Sequence, residues 1–250
     1  MEHVSHTFFT KDTFTHVLED INFTINRGEF ISFLGPSGCG KTTLLSIIAQ
    51  LIKPTNGNVL LEGRNISLKE TQIGYMLQQD YLFPWKTIQE NILLGLKISK
   101  QLSNEKKERT YQLLMDMGLE STINKLPQQL SGGMKQRVAL VRTLATDPSL
   151  FLLDEPFSAI DFQTKLKLED LVFTTLKKYQ KTMILVTHDI GEAIAMSDRI
   201  FLFSTKPGQI KKEVLVNKEL SETTPFHARQ TSSYKSLFQH LWKEIEQLDN

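Results

Sequence analysis

At 250 residues with 40% apolar side chains, the chain is long enough for one large α/β domain with its own core. A net charge of +1 supplies no basic field, which argues against a nucleic-acid partner. No apolar run reaches the roughly 18 residues of a membrane span, no charged-then-apolar leader opens the chain, and the single cysteine, Cys39, excludes an internal disulfide and fits a reducing compartment.

Two β-like runs come first, His3 to Phe9 and Val17 to Ile25, with a polar turn at Lys11-Asp12-Thr13. Phe8, Phe9 and Phe14 lie upstream of the glycine-rich loop, where one aromatic ring can stack on a base or simply pack a small sheet. The apolar run Phe30 to Leu34 then leads into Gly35-Pro36-Ser37-Gly38-Cys39-Gly40-Lys41-Thr42-Thr43, followed by helical spacing at Leu44, Leu45, Ile47 and Ile48. Strand, G-x-x-x-x-G-K-[ST] and helix in that order form a phosphate-binding loop. Gly35, Gly38 and Gly40 let the backbone wrap closely, so successive N–H groups face phosphate oxygens. The helix start adds positive potential. Lys41 is placed to reach the β- and γ-phosphates, Thr42 to hold Mg²⁺, and Thr43 to reach the α-phosphate region. Cys39, among N–H groups at a helix start, is expected to favour the thiolate.

Lys53-Pro54-Thr55-Asn56-Gly57 stops the first helix, and Val59 to Glu62 reads as a short strand. Ile73 to Leu77 reads as a buried strand ending at Gln78-Gln79-Asp80. Polar residues at strand C-termini of an open α/β sheet lie on the ligand side, so Gln78 can meet Mg²⁺ or the attacking water. From Tyr81 to Thr146 the spacing is helical. Thr87-Ile88-Gln89-Glu90 has capping-box form and opens a helix through Leu96; a second helix spans Ser103 to Met117. Phe83-Pro84-Trp85 reads equally as buried or as a docking surface. Ser131 caps another helix whose Gly132 and Gly133 expose N–H groups, a second anion-binding helix start.

Leu150 to Leu153 is an apolar strand that ends in Asp154 and Glu155. Two carboxylates there suit a metal site: Asp154 to hold Mg²⁺ through water, Glu155 to orient or deprotonate a water aimed at the γ-phosphate. Ser158-Ala159-Ile160-Asp161 turns into a charged helix, Phe162 to Tyr179. The buried strand Met183 to Val186 ends at Thr187-His188-Asp189, which makes His188 a γ-phosphate sensor. A helix over Gly191 to Ser197, a strand over Ile200 to Phe203 and a final β-run from Gln209 to Val216 follow. In the tail, Tyr234, Leu237, Phe238, Leu241, Trp242, Ile245 and Leu248 share one helical face, which favours docking on the chain's own core.

Taken in order, these motifs resemble the nucleotide-binding subunit of ABC transporters, over Val4 to Trp242. The resemblance implies a P-loop (RecA-like) core, at about 1–80 and 147–216, with an N-terminal antiparallel β subdomain, a helical insertion at about 81–146 and a helical tail at about 217–250. It implies ATP and Mg²⁺ as cofactors. Gly35 to Thr42 then matches Walker A, Asp154 Walker B, Glu155 the catalytic glutamate, Gln78 the Q-loop, Leu130–Met134 the signature, Asp161 the D-loop and His188 the switch histidine. Phe8 aligns with the adenine-stacking aromatic, with Phe9 as the alternative. Two copies are expected to pair head to tail, so that Ser131, Gly132 and Gly133 serve the partner's γ-phosphate.

Leu82-Phe83-Pro84-Trp85, Gly133-Met134-Lys135-Gln136-Arg137 and Ser204-Thr205-Lys206-Pro207-Gly208 resemble importers of nitrate, sulfonates or taurine. Met134 departs from the commoner glutamine of the signature, and Ser158 and Ile160 from the usual glycine and leucine. The implied partners are permease subunits and, through them, a solute-binding protein, with the chain at the cytoplasmic membrane face. A soluble ABC-type ATPase that remodels protein assemblies, or an exporter ATPase, shares the same catalytic loops; an adjacent permease gene and binding-protein gene discriminate import.

Overall fold

The structure, a computed structural model, describes residues 1–65, 73–158, 160–205 and 207–248. Ala159 of the D-loop and Lys206 of the Lys206-Pro207-Gly208 turn lie outside the described residues. Strands β1 (Glu2–Phe9) and β2 (Phe14–Ile21) form an antiparallel hairpin. The predicted strand from Val17 to Ile25 stops at Ile21. Phe23 and Ile25 still pack against the core beneath β3 (Phe30–Leu34), so alternation there records burial rather than strand pairing. Helix α1 (Lys41–Ile48) follows β3. The predicted strand Val59 to Glu62 is shortened to β5 (Leu60–Leu61), which pairs with β6 (Arg64–Asn65), while β4 (Asn56–Asn58), which pairs with β1, begins inside the predicted turn at Asn56-Gly57.

After β7 (Ile73–Met76) the regular elements are helical until β8 (Leu150–Asp154) among the described residues: α2 (Ile88–Ile92), α3 (Leu94–Ile98), α4 (Asn104–Asp116) and α5 (Gly132–Ala145), with two short 3-10 turns. Thr87 and Glu90 close the capping box that opens α2. The helix predicted through Leu96 is interrupted at Leu93 and resumes as α3. Then come α6 (Phe162–Lys178), β9 (Thr182–Thr187), α7 (Ile190–Met196), β10 (Arg199–Phe203), β11 (Ile210–Leu215), α8 (Lys218–Ser221), α9 (Pro225–Ala228) and α10 (Ser232–Leu248).

Among the described residues the main sheet has six strands in the order β11-β10-β3-β9-β8-β7, parallel except for the β10–β11 pair. Both faces are covered, which is why β3 and β8 are apolar at every position except Ser32 and Asp154. Ile31, Phe33, Leu150 and Leu152 face α1 and the N-terminal sheet, whereas Phe151 and Leu153 face α5 and α6. On the tail side, Leu241 is fully buried, and Tyr234, Leu237, Phe238, Ile245 and Leu248 pack against α7 and β10. The register aligns the strand ends: Leu34 with Thr187, Asp154 with Val186, and Met76 with Leu153. One edge of the sheet therefore collects every loop that leaves a parallel strand there.

Candidate functional site

The loop between β3 and α1 is tightly seated. Gly40 adopts φ 98°, a left-handed conformation that favours glycine, and caps α1 without a side chain. A Cβ there would lie 2.8 Å from Leu18 Cδ2, so β2 packs directly on the loop. Lys41 is buried. Its Nζ donates to the carbonyl oxygens of Gly35 and Pro36, each at 2.8 Å, and lies 3.4 Å from Cys39 Sγ. The ammonium is thus held at the loop by weak neutral acceptors, which anionic oxygens can replace with stronger charge-assisted bonds. Cys39 corrects the expectation of a reactive thiol. Its side chain is 1% exposed, packed in the core below the loop.

Ser37, Gly38 and Thr42 remain open to solvent, while Thr43 is half-buried. Thr42 Oγ1 donates to Asp154 Oδ1 at 3.1 Å, and Tyr75 donates its hydroxyl to the other carboxylate oxygen at 3.3 Å. Burial pushes the Asp154 carboxyl up, against the pull of these two hydroxyls. Burial and then the Asp154 charge push the Tyr75 phenol up to about 12.

Glu155 stands at φ 45°, a strained conformation for a non-glycine residue, held by a 2.9 Å bond from its N–H to the Val186 carbonyl. Its Oε2 lies 3.3 Å from His188 Nδ1 and 3.5 Å from Gln78 Nε2. Gln78 also donates to Ser158 Oγ at 3.2 Å. Gln78, Glu155, Ser158 and His188 therefore form one polar group beside the Lys41–Thr42–Asp154 group. Gln78 points to Glu155 and Ser158 rather than to Thr42. Asp161 turns away: it caps α6 by accepting from the Thr164 N–H at 3.1 Å.

Phe8 packs edge-on against the buried His6 ring at 4.5 Å and is 41% exposed; Phe9 and Phe14 stand in solvent at 73% each. His6 pairs with Leu18, which touches the loop at Gly40, so the hairpin brings Phe8's strand to the loop's flank. The second helix start is not brought to the first. Ser131 accepts from the Met134 N–H at 3.4 Å, Gly132 faces open space, and Gly133 meets Thr164. Among the described residues no hydrogen bond joins 131–133 to 35–43. Leu82 is buried beside the exposed Pro84 and Trp85.

Two residues escaped the sequence. Tyr75 reads as an ordinary strand aromatic, and Gln136, which donates to the Gln78 carbonyl at 3.2 Å, reads as a helix-surface polar. The signal for Gln136 was its burial on the first turns of α5, which spacing alone does not reveal.

A family profile described as ABC transporter matches residues 18–158. The ABC transporter ATP-binding protein YtlC of Bacillus subtilis (strain 168) is 61% identical over 249 residues, 100% of this chain and 96% of its own length. The aliphatic sulfonates import ATP-binding protein SsuB of Bacillus cereus (strain ATCC 10987 / NRS 248) is 39% identical over 241 residues, 96% of this chain and 91% of its own. The solved dimer of the ATP-binding cassette MJ0796 bound to ADP and Pi superposes with a TM-score of 0.75 at 34% identity, covering 86% of this chain and 97% of that one. With the glycine-rich loop, the carboxylate pair and the polar strand ends in this arrangement, the chain belongs to the ABC transporter family, as an ATP-binding subunit that hydrolyses ATP.

Proposed function

We propose that this ATPase powers an importer of a small anionic solute such as a sulfonate, taurine or nitrate, working as a pair of identical copies beneath a permease at the cytoplasmic membrane face. SsuB, a sulfonate importer by name, matches along nearly its whole length and supports the solute class. The observation that carries the catalytic reading is the convergence of Gln78, Glu155 and His188 beside the loop that holds Lys41.

In this reading Lys41 exchanges its two carbonyl partners for β- and γ-phosphate oxygens, while N–H groups from Gly35, Ser37, Gly38, Cys39, Gly40, Thr42 and Thr43 wrap the chain of phosphates and Pro36, which has no N–H, only shapes the loop. Phe8 covers the adenine. The Thr42 hydroxyl and the Asp154 carboxylate, already 3.1 Å apart, are hard oxygen donors that fit Mg²⁺, with Gln78 reaching it through water. Bound there, Mg²⁺ neutralises charge on the β- and γ-phosphate oxygens. Glu155 takes the proton of the attacking water, and His188, whose Nδ1 lies 3.3 Å from that carboxylate, contacts the γ-phosphate. Ser131, Gly132 and Gly133 of one copy close over the γ-phosphate of the other, and Asp161 borders that seam. The exposed helix start at Ser131 and the dimeric MJ0796 cassette both support this pairing.

Closure moves the helical segment between β7 and β8, and with it the exposed Trp85 surface that meets the permease. A solute-binding protein acts from the far side. The test is purification together with a permease partner. ATP turnover should rise several-fold when a binding protein loaded with a sulfonate, taurine or nitrate is added. Turnover indifferent to every loaded binding protein would overturn the importer reading.

A further inference from the structure

His188 is itself exposed, yet the residues on both sides of it are anchored. Thr187 donates its hydroxyl to Glu192 Oε2 at 2.5 Å and accepts from the Asp189 N–H at 2.9 Å. Asp189 caps α7 by accepting from the Glu192 N–H at 3.1 Å. Both carboxylates meet one half-buried cation: Lys165 Nζ lies 2.7 Å from Asp189 Oδ2 and 2.5 Å from Glu192 Oε1. Burial opposes it, but Lys165 and two backbone N–H groups hold the Asp189 carboxyl below its ordinary range.

Lys165 sits on α6 one turn before Glu169, a carboxylate with no exposure at all. Neither Glu169 oxygen accepts a well-aligned hydrogen bond; its partner is Arg229 of the tail, whose Nη2 lies 2.7 Å from Oε2 but off the donor axis. The tail also touches the first turn of α7 directly. A Cβ on Gly191 would stand 2.7 Å from the Tyr234 hydroxyl and 3.9 Å from Arg229 Nη2. A continuous row thus runs from Tyr234 and Arg229 through Glu169 and Lys165 to Asp189 and Glu192, which bracket the loop of His188.

We propose that Arg229 and Tyr234 are positioning residues for His188, so that the docked tail sets the placement of the switch histidine during ATP hydrolysis. This rests on the role given to His188 above. Removing the Arg229 charge leaves Glu169 with Lys165 as its remaining cationic neighbour. Glu169 then keeps its proton and no longer holds the tail, the tail's contact beside Gly191 at the start of α7 loosens and the Asp189 cap with it, and His188 departs from the γ-phosphate side. Nucleotide binding, carried by the loop at Lys41 on the other side of β3, is untouched.

The test compares full-length wild type with Arg229→Met, Arg229→Lys and Tyr234→Phe, using MgATP hydrolysis and histidine-ring NMR, with the His188 signal assigned by its loss in His188→Gln. Arg229→Met should lower kcat roughly fivefold to tenfold, keep KM within about twofold and shift the His188 ring signal. Arg229→Lys should recover at least about half of kcat, and Tyr234→Phe should lose about half. Wild-type kcat, or an unmoved His188 signal, in both Arg229→Met and Tyr234→Phe would overturn the proposal. If Arg229→Met does not fold, the other two variants decide on the same readouts. His188→Gln with wild-type kcat speaks against the catalytic role of His188, whereas the ring signal in the Arg229 and Tyr234 variants reads the coupling without turnover.

Discussion

Two helices in this molecule begin with exposed-backbone glycine sequences, and they begin very differently. Helix α1 starts from a buried strand, uses left-handed Gly40 as its cap and encloses the Lys41 ammonium within the loop. Helix α5 starts from a surface loop, uses the Ser131 side chain as its cap and opens onto solvent at Gly132. Neither carries an acidic residue in its first turn, so nothing at either end competes with an incoming anion. The first start supplies backbone donors and an interior cation and can grip a phosphate by itself. The second encloses no cation, since Arg137 is turned to the Gly133 and Met117 carbonyls, and a helix end open to solvent holds an anion weakly. Its phosphate must arrive already bound elsewhere, which is the physical case for a second copy.

The largest effect should come from joining the two starts permanently. Glu155→Gln keeps both intact and removes the group proposed to take the water's proton, so turnover should fall by roughly 10² to 10⁴. ATP should stay bound, and the chain should elute as a pair on a sizing column; normal turnover would remove Glu155 from its role. Lys41→Ala deletes the interior cation and should weaken ATP binding by roughly 10 to 100-fold, as measured by calorimetry. Ser131→Arg should separate the two ends cleanly. ATP affinity of the single chain should hold within about twofold, while turnover and nucleotide-driven pairing fall by about tenfold or more. Equal damage to single-chain affinity would mean that Ser131 serves its own loop.

Smaller effects bear on how closed the first start is. Cys39 should react with an alkylating thiol reagent far more slowly than a free cysteine, with or without ATP, because access needs local opening of the loop. Fast labelling in the folded chain would contradict that burial. Glu169→Gln touches neither helix start and should leave ATP affinity alone while changing stability. Burial first, with Arg229 opposing it, raises the Glu169 carboxyl from 4.5 to about 7. The folded chain thus keeps a proton that the unfolded chain releases. Stability from this group is full below the unfolded value and fades as pH rises through about 7, about 3 kcal/mol in all. The Gln variant should flatten the stability curve in that window, as urea midpoints at successive pH values would show.

The first helix start was legible because its chemistry demands particular residues at fixed spacing, and the apolar runs of β3, β8 and β9 announced covered strands. Where physics depended on distant segments, the sequence was silent. Cys39 looked available because its sequence neighbours are glycines; its thiol packs into the cluster of Phe203 and Leu44, and Gly208 closes on its backbone, where a Cβ would stand 2.0 Å from the Cys39 carbonyl oxygen. Tyr75 gained its role from Asp154, 79 positions later. Glu169 looked like one charge on a charged helix, and only the fold reveals it facing the interior with Arg229. Residues 22–25 alternated like a strand because Phe23 and Ile25 are half-buried against the core, though among the described residues their backbone bonding reaches only Met1, through Phe23, and forms no strand.

The place of β3 in the sheet carries a consequence for biosynthesis. Its hydrogen-bonded neighbours are β9 and β10, both encoded about 150 residues or more downstream, and Gly208 comes later still. On the ribosome the nucleotide loop is therefore made early and supported late. The nascent polypeptide has to carry an unsupported, strongly apolar segment until most of its length has emerged, so ATP can act as a folding ligand only for the nearly finished translation product.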